Sequence, residues 1–405
     1  MHILLIHQAF VTLDEAGGTR HHELARYLSK QGHKVTIIAS PVSYLTGTAS
    51  GRHPSKEVDD LGVTIFRSYT LPVLHRSFVW RVFSFISFMI SSLIKGLFVR
   101  RVDLVWGTTP PMFQAPSAWL LARLKGVPFL LEVRDLWPAF AVAVGVLKNK
   151  ILIRLAEGLE SFLYRHADRV VVNSPGFIQH VEERGARQVA LVPNGADPDM
   201  FDPSAKGNQF REEHGLEDCF VVLYAGAHGL SNDLDVVLDA AEILRDEPSI
   251  RIVLVGSGKE KPRHVSEAEH RKLENILFLP PVAKKDMPGT LAGADACLAI
   301  LKPIEMYKTT YPNKVFDYLA AGRPVLLAID GVIRDVIEEG QAGLFVPPGD
   351  PKALAITIQT LANDPEKAYE MGLNGRKLIE TSFSREKFAS KFALILDDVR
   401  KSKHG

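Results

Sequence analysis

The stretch Met306 to Leu326, MYKTTYPNKVFDYLAAGRPVL, carries groups suited to holding an organic diphosphate. Pro312 presets the chain for a helix start and Asn313 is a natural cap, so Lys314 falls in the first turn among backbone N–H groups that lack helical partners. An ammonium at such a start makes an anion site. Asp317, three residues on and on the same face, sets a carboxylate one turn deeper, within reach of two vicinal ribose hydroxyls. A nucleoside diphosphate has that spacing. An ordinary capped helix with an i, i+3 Lys and Asp pair has it too, but Gly322-Arg323-Pro324 followed at once by a strand makes the package more particular.

Three further clusters follow strands. Gly226-Ala227-His228-Gly229 comes directly after an apolar run ending at Ala225, where ligands of open α/β sheets bind, and is a candidate phosphate cradle. Gly256-Ser257-Gly258-Lys259-Glu260-Lys261 combines a flexible turn with two cations, a composition that surface turns also have. Gly17 and Gly18 stand between the first strand and a helix, where they would let backbone approach a ligand or simply permit a tight turn; without a G-x-G-x-x-G spacing, a dinucleotide is disfavoured. In Glu132-Val133-Arg134-Asp135-Leu136-Trp137-Pro138, Asp135 could take a proton or bind a sugar and Arg134 could pair with phosphate; a structural ion pair locking a loop is the competing reading. His21 and His22 are adjacent and point apart, and no H-E-x-x-H or C-x-x-C occurs, so neither a metal nor another cofactor is expected.

The elements that must position these groups alternate between strand and helix. Strands are expected over His2–His7, Lys34–Ser40, Val102–Trp106, Val127–Val133, Arg169–Asn173 and Val189–Pro193, with a helix over Thr19–Gln31. Asp197 to Glu217 reads as a connection, rich in Pro, Gly and charge. A second series then follows: strands Cys219–Ala225, Ile250–Val255, Ile276–Leu279, Ala296–Leu301, Val325–Ile329 and Gly343–Val346. Helices are expected near Asp233–Arg245, Asn313–Ala321, Ile333–Gly340, Pro351–Asn363 and Ser384–Ser402. The fold class is α/β with two facing Rossmann-like, doubly wound domains, the first over residues 1–200 and the second over 201–383.

With 405 residues, two domains are also what length predicts. Lys plus Arg number 48 against 47 Asp plus Glu, so no global positive field points to nucleic acid. Cys219 and Cys297 lie in apolar runs and read as buried thiols of a reducing compartment; with no secretory signal pattern at the N-terminus, the cytoplasm is the expectation. In Phe78 to Val99 the longest charge-free stretch, Val82–Ile94, is shorter than the roughly 20 residues a spanning helix needs. Aromatics there, flanked by His75, Arg76, Arg81, Lys95, Arg100 and Arg101, suit a helix lying on a membrane surface, a groove for a lipid tail, or a helix buried against the sheet.

On AGGTRHHELARYLSKQGHKV, EVRDLWP, VVNSPGF with VPNGAD, LYAGAHG, VLVGSG and YPNKVFDYLAAGRPVL with AGLFVPPGD, the chain resembles, over nearly its whole length, the family 4 retaining glycosyltransferases of GT-B fold. It is especially similar to the WbuB-like enzymes that transfer L-fucosamine-type sugars in bacterial surface polysaccharide assembly. The resemblance implies a second domain that binds the nucleotide sugar, a first domain that binds the acceptor, and a C-terminal helix, with residues 384–405, packing back on the first. In that family two carboxylates separated by seven residues usually hold the donor; Asp317 matches the last, which binds ribose, whereas Thr309 stands in place of the first and Glu305 is nearby but out of register. Family members often have a His at Arg134, and an Arg and Lys pair at His228 and Asn232, which leaves Lys259, Lys261, Lys308 and Lys314 to neutralise phosphate. The expected donor site is Gly18, Gly226, His228, Lys259, Lys261, Lys308, Thr309, Tyr311, Asn313, Lys314 and Asp317. Gly17, Arg20 and Trp137 are expected on the acceptor side, with Asp135, Arg134 and Glu305 at the reaction centre.

The partners so implied are a nucleotide sugar, UDP-linked in preference to GDP-linked, and a polyprenyl-diphosphate saccharide at the inner membrane face. Three rivals stay open: a UDP-N-acetyl sugar 2-epimerase of the same two-domain fold, a binding-only subunit that has lost activity, and a membrane-surface scaffold without nucleotide affinity.

Overall fold

A computed structural model describes residues 1–44, 46–48, 54–74 and 76–402, so His75 lies outside the described residues. The chain forms two compact units. One comprises Met1–Thr12, Gly18–Pro193 and Glu386–Gly405, the other Leu13–Gly17 and Asn194–Arg385.

The first unit is built on strands β1 (His2–His7), β2 (Lys34–Ala39), β3 (Lys56–Val58), β4 (Thr64–Arg67), β5 (Leu104–Thr108), β6 (Phe129–Val133), β7 (Arg169–Val172) and β8 (Val189–Leu191), in the spatial order β3-β4-β2-β1-β5-β6-β7-β8. Every pairing is parallel except β3 with β4. The parallel strands read as continuous apolar runs because helices cover both faces. On one face, Leu24 and Leu28 of helix Arg20–Lys30, together with Phe392 and Leu396 of helix Arg385–Ser402, join Ile3, Leu5 and Trp106 in one cluster. Each such fully buried side chain contributes about 1.5 to 3 kcal/mol. On the other face, helix Ala115–Lys125 lies so close that a Cβ at Gly107 would come within 2.9 Å of the Ala118 side chain.

Helix Phe78–Leu97 packs beside Ala115–Lys125: Ser92 and Ser117 hydroxyls meet at 3.2 Å, and Phe88 is fully buried. Its stretch Val79–Leu97 is, by length and composition, long and apolar enough to cross a membrane, and 28% of it is buried. Arg81 and Lys95 interrupt it, which is why a charge-free count understates its length.

The second unit holds β9 (Phe220–Ala225), β10 (Ile250–Val255), β11 (Ile276–Leu279), β12 (Ala296–Ile300), β13 (Val325–Ala328) and β14 (Gly343–Phe345), all parallel, in the order β11-β10-β9-β12-β13-β14. Parallel pairing brings the carboxyl ends of the strands to one edge, and the candidate loops with them. The segment read as a bare connection contains a short helix, Asn208–His214, and helices Lys261–His270 and Pro365–Leu378 add to those expected.

Candidate functional site

In the second unit the turns after β9 and β10 interlock through their backbones. The Gly226 amide donates to Val255 O at 2.9 Å, His228 N to Ser257 O at 2.9 Å, and Glu260 N to His228 O at 3.0 Å. A Cβ at Gly256 would lie 1.8 Å from Gly226 O, so this approach requires glycine. Lys261 braces the same turn: its ammonium donates to Gly256 O at 2.7 Å and Leu279 O at 2.5 Å. It is thereby committed to the protein, unlike a lysine waiting for phosphate, while Lys259 is exposed. His228 is fully buried, and among the described residues neither ring nitrogen has a hydrogen-bond partner. Burial, reinforced by Lys261, pushes its pKa down to about 4, so the ring is neutral at neutral pH.

Lys314 sits in the first turn of helix Asn313–Ala320, with its ammonium 3.8 Å from the centre of the Tyr224 ring. A Cβ at Gly226 would come within 2.5 Å of that nitrogen. Among the described residues no carboxylate pairs with it, and burial drives its pKa down to about 7. Contact with an aromatic face gives about 1 to 2 kcal/mol and does not replace the lost hydration. The site is therefore a cation held without an anion.

The cap differs from expectation. Pro312 is the N-cap and makes no side-chain cap bond; Asn313 is already helical. Its Oδ1 accepts from Arg385 at 3.0 Å and its Nδ2 donates to Asp317 Oδ2 at 3.4 Å. Asp317 is paired with Lys284, 2.6 Å away, whose ammonium also lies over the Phe201 ring. Tyr311 packs on Phe316 and Phe383, and burial raises its hydroxyl to about 12. The Thr309 hydroxyl donates to Met306 O at 2.6 Å. Glu305 projects outward and pairs with Lys308 at 2.9 Å; Lys308 also approaches Asp330 at 3.7 Å. The four lysines grouped from sequence are thus placed differently, and of the four only Lys314 is half-buried with no hydrogen-bond acceptor or carboxylate partner among the described residues.

In the first unit the cluster around β6 is mostly self-satisfied. Glu132, wholly buried, is held by Arg20 at 2.8 Å and His21 at 2.6 Å. Burial alone would raise this carboxyl; His21 and Arg20 outweigh that and hold it well below the usual carboxylate range. Arg20, read from the sequence as facing an acceptor, is buried and also donates to Pro193 O and Val192 O at 2.7 Å. A guanidinium so occupied ties β8 to β6. Arg134 donates to Thr108 Oγ1 at 3.2 Å and contacts His7 Nε2 at 3.1 Å. Asp135 is half-buried, and burial lifts its pKa to about 6 against the pull of Arg134. Trp137 lies at the end of an aromatic row, 5.9 Å from Phe113, which stacks on Phe85 at 5.7 Å. Gly18, just before helix Arg20–Lys30, faces open space; Gly17 has φ +146° and belongs to the second unit. As their adjacency implied, His21 and His22 diverge, His22 meeting Asp59 at 3.2 Å. Among the described residues no group of three or more His, Cys, Asp and Glu is arranged to hold a metal.

Two families match the chain in tandem: residues 16–195 correspond to the glycosyl transferase 4-like domain, and residues 219–364 to glycosyl transferases group 1. Both matched regions are glycosyltransferase domains, and the fold is GT-B. WcaI of Escherichia coli (strain K12), a glycosyl transferase named for colanic acid biosynthesis, is 27% identical over 312 residues, 74% of this chain and 76% of that protein. Sucrose-phosphate synthase from Thermosynechococcus elongatus superposes with a TM-score of 0.81 at 18% identity, covering 99% of both chains. Anabaena HepE, solved in complex with UDP-glucose, gives 0.75 at 16% identity over 98% of this chain and 100% of that one. In this glycosyltransferase the matched group 1 region contains both interlocked turns and helix Asn313–Ala320.

Sequence reasoning missed Tyr224, the Lys314 platform, and Lys284, the Asp317 partner. Tyr224 lies inside an apolar strand and reads as core. Lys284 is 33 residues from Asp317, and no local spacing links them.

Proposed function

We propose that the second unit binds a UDP-sugar and that the chain transfers the sugar, with retention and without a metal, to a polyprenyl-diphosphate-linked saccharide in the assembly of O-antigen or capsule. The observation that carries this reading is Lys314, a half-buried ammonium over the Tyr224 ring at a helix start, whose electrostatic complement is an anion. The UDP-glucose complex of the similarly folded HepE and the colanic acid role in the name of WcaI support donor and pathway class. The resemblance to WbuB-like enzymes favours an N-acetylated deoxysugar such as N-acetyl-L-fucosamine.

In this reading Lys314 and the helix start stabilise the charge that grows on the departing diphosphate. Asp317 holds the ribose, and Gly226 and His228 line the cradle. A phosphate oxygen of the donor takes the proton of the attacking hydroxyl, so no protein base is obligatory. Arg134, Asp135 and Trp137 lie on the acceptor side, and helix Phe78–Leu97 faces the inner surface of the membrane. A thermal-shift and calorimetric screen of UDP, GDP and their sugars tests the donor. UDP is expected to stabilise the chain, and Lys314→Ala to abolish the effect; a Lys314→Ala variant that binds UDP as the wild type does would remove the central claim. Labelled UDP-N-acetyl sugar incubated alone distinguishes epimerisation from transfer.

A further inference from the structure

Exposed charge in the first unit is strongly segregated. Between Leu61 and Ala156 stand twelve Lys and Arg against three Asp and Glu, in a chain whose totals are 48 and 47. Of those three carboxylates, Glu132 is buried in its ion pairs, Asp135 is half-buried, and Asp103 accepts the His2 amide at 2.6 Å. What this stretch shows to water is almost wholly basic.

The same stretch exposes apolar side chains in two places. On helix Phe78–Leu97, Val79, Phe83, Ile90 and Ile94 recur at helical spacing and are each more than half exposed. The first turns of helix Lys150–His166 expose Ile151 to 68% and Leu155 to 66%, beside exposed Lys148, Lys150 and Arg154. Both helices flank Ala115–Lys125 in one layer, through Ser92 with Ser117 on one side and Trp119 with Phe162 (4.8 Å) on the other. One follows β4 and the other follows β6, so both begin at the carboxyl edge of the sheet. The aromatic row Phe85, Phe113, Trp137 leads from the first of these helices to the loop after β6.

We propose that the beginnings of helices Phe78–Leu97 and Lys150–His166 together rest on an anionic phospholipid bilayer, with Trp137 and Asp135 at the edge they share. This rests on the reading of helix Phe78–Leu97 as membrane-facing and adds a second, independent contact that fixes how the unit lies. Aliphatic side chains such as Ile151 and Leu155 enter the headgroup boundary, while lysine and arginine stems reach back to lipid phosphates. One amphipathic helix can roll about its axis on a surface; two contacts in one layer cannot. Up to Glu157, the first exposed carboxylate of helix Lys150–His166, the near absence of such groups is the charge complement of that surface and would be unfavourable against another copy of the same basic face.

The test is co-sedimentation of the full chain with phosphatidylcholine vesicles, with and without an equal part of phosphatidylglycerol. Binding is expected only to the anionic vesicles and to weaken with salt. Ile151→Asp with Leu155→Asp, and separately Lys148→Glu with Lys150→Glu and Arg154→Glu, should each reduce it by about tenfold or more, while the UDP-induced thermal shift stays at the wild-type value and so reports an intact fold. If these variants bind as the wild type does while Val79→Asp with Phe83→Asp does not, the second contact is refuted and the first stands. If the wild type binds neither vesicle, both readings fall. Equal binding to the neutral vesicles overturns the charge argument, and self-association through Ile151 and Leu155 without vesicle binding overturns the lipid assignment.

Discussion

The two units treat buried charge in opposite ways. Around β6, Glu132 pairs with both Arg20 and His21, and Arg134 is tied to Thr108 and His7; the charges are matched, although His7 Nδ1, His21 Nδ1 and Asp135 Oδ1 have no hydrogen-bond partner among the described residues. Beside β9, among the described residues, Lys314 lies over Tyr224 with no carboxylate against it, and His228 is buried with neither ring nitrogen hydrogen-bonded. A closed set of charges stabilises a fold and has little left to offer a ligand. An open one costs stability until an anion arrives. The contrast separates scaffold from site more sharply than residue type does, since both regions looked equally charged in the sequence.

The contrast breaks most visibly at its closed end. Glu132→Ala leaves the Arg20 guanidinium buried without its anion, and should destabilise the first unit by about 3 to 5 kcal/mol in urea unfolding. A loss below about 1 kcal/mol would mean that the network is incidental. At the open end the sign reverses. Lys314→Met removes a half-buried cation that has no carboxylate partner among the described residues, so the apo chain should keep its stability or gain about 1 to 2 kcal/mol after allowance for its contact with water. UDP affinity, read by calorimetry, should meanwhile fall by about a hundredfold. A variant that loses both stability and affinity would place Lys314 with the scaffold.

Titration sharpens the same comparison. Lys314 has its folded pKa depressed to about 7 from 10.5, so the stability it withholds is absent below pH 7 and is recovered as pH climbs from there toward 10.5. A bound diphosphate favours the ammonium, so above pH 7 binding must take up a proton. UDP affinity is expected to fall about fivefold from pH 7 to pH 8, with proton uptake visible in buffers of different ionisation enthalpy. Lys314→Arg, which stays protonated, should flatten that profile. A wild-type profile already flat across this window would show that the amine is charged in the empty site.

The open and closed ends were unequally legible in the residues. Runs such as HILLIH and IRIVLV are strands on sight, because a continuous apolar run of that length between turn residues suits a parallel sheet covered on both faces. β3 is three residues, Lys-Glu-Val, mostly exposed; only antiparallel pairing with β4 makes it a strand, and no local pattern announces that. Helix Lys261–His270, KPRHVSEAEH, has no apolar stripe, and its apolar neighbours are supplied by the fold. At the site, local grammar was enough to mark Pro312 to Asp317 and the two glycine turns. Whether a charged residue there is spoken for was not local: Arg20 finds Glu132 across 112 positions, and Lys261 finds the carbonyl of Leu279 on the neighbouring strand. Partner choice across such separations is decided by strand order, which the residue pattern leaves open.

The smallest effect probes the cradle without touching a charge. A Cβ at Gly226 would meet the Lys314 ammonium at 2.5 Å, and that atom is the far end of a flexible side chain that can shift. Gly226→Ala should therefore fold with near wild-type stability and weaken UDP binding by about threefold, because the lysine is displaced from its place over Tyr224. Gly256→Ala is the control: its Cβ would strike the Gly226 carbonyl at 1.8 Å, a backbone atom that cannot yield, and it should lower the melting temperature of the second unit. If Gly226→Ala lost stability to the same extent as Gly256→Ala, the space beside Lys314 would be packing required by the fold, and the open end of the comparison would close.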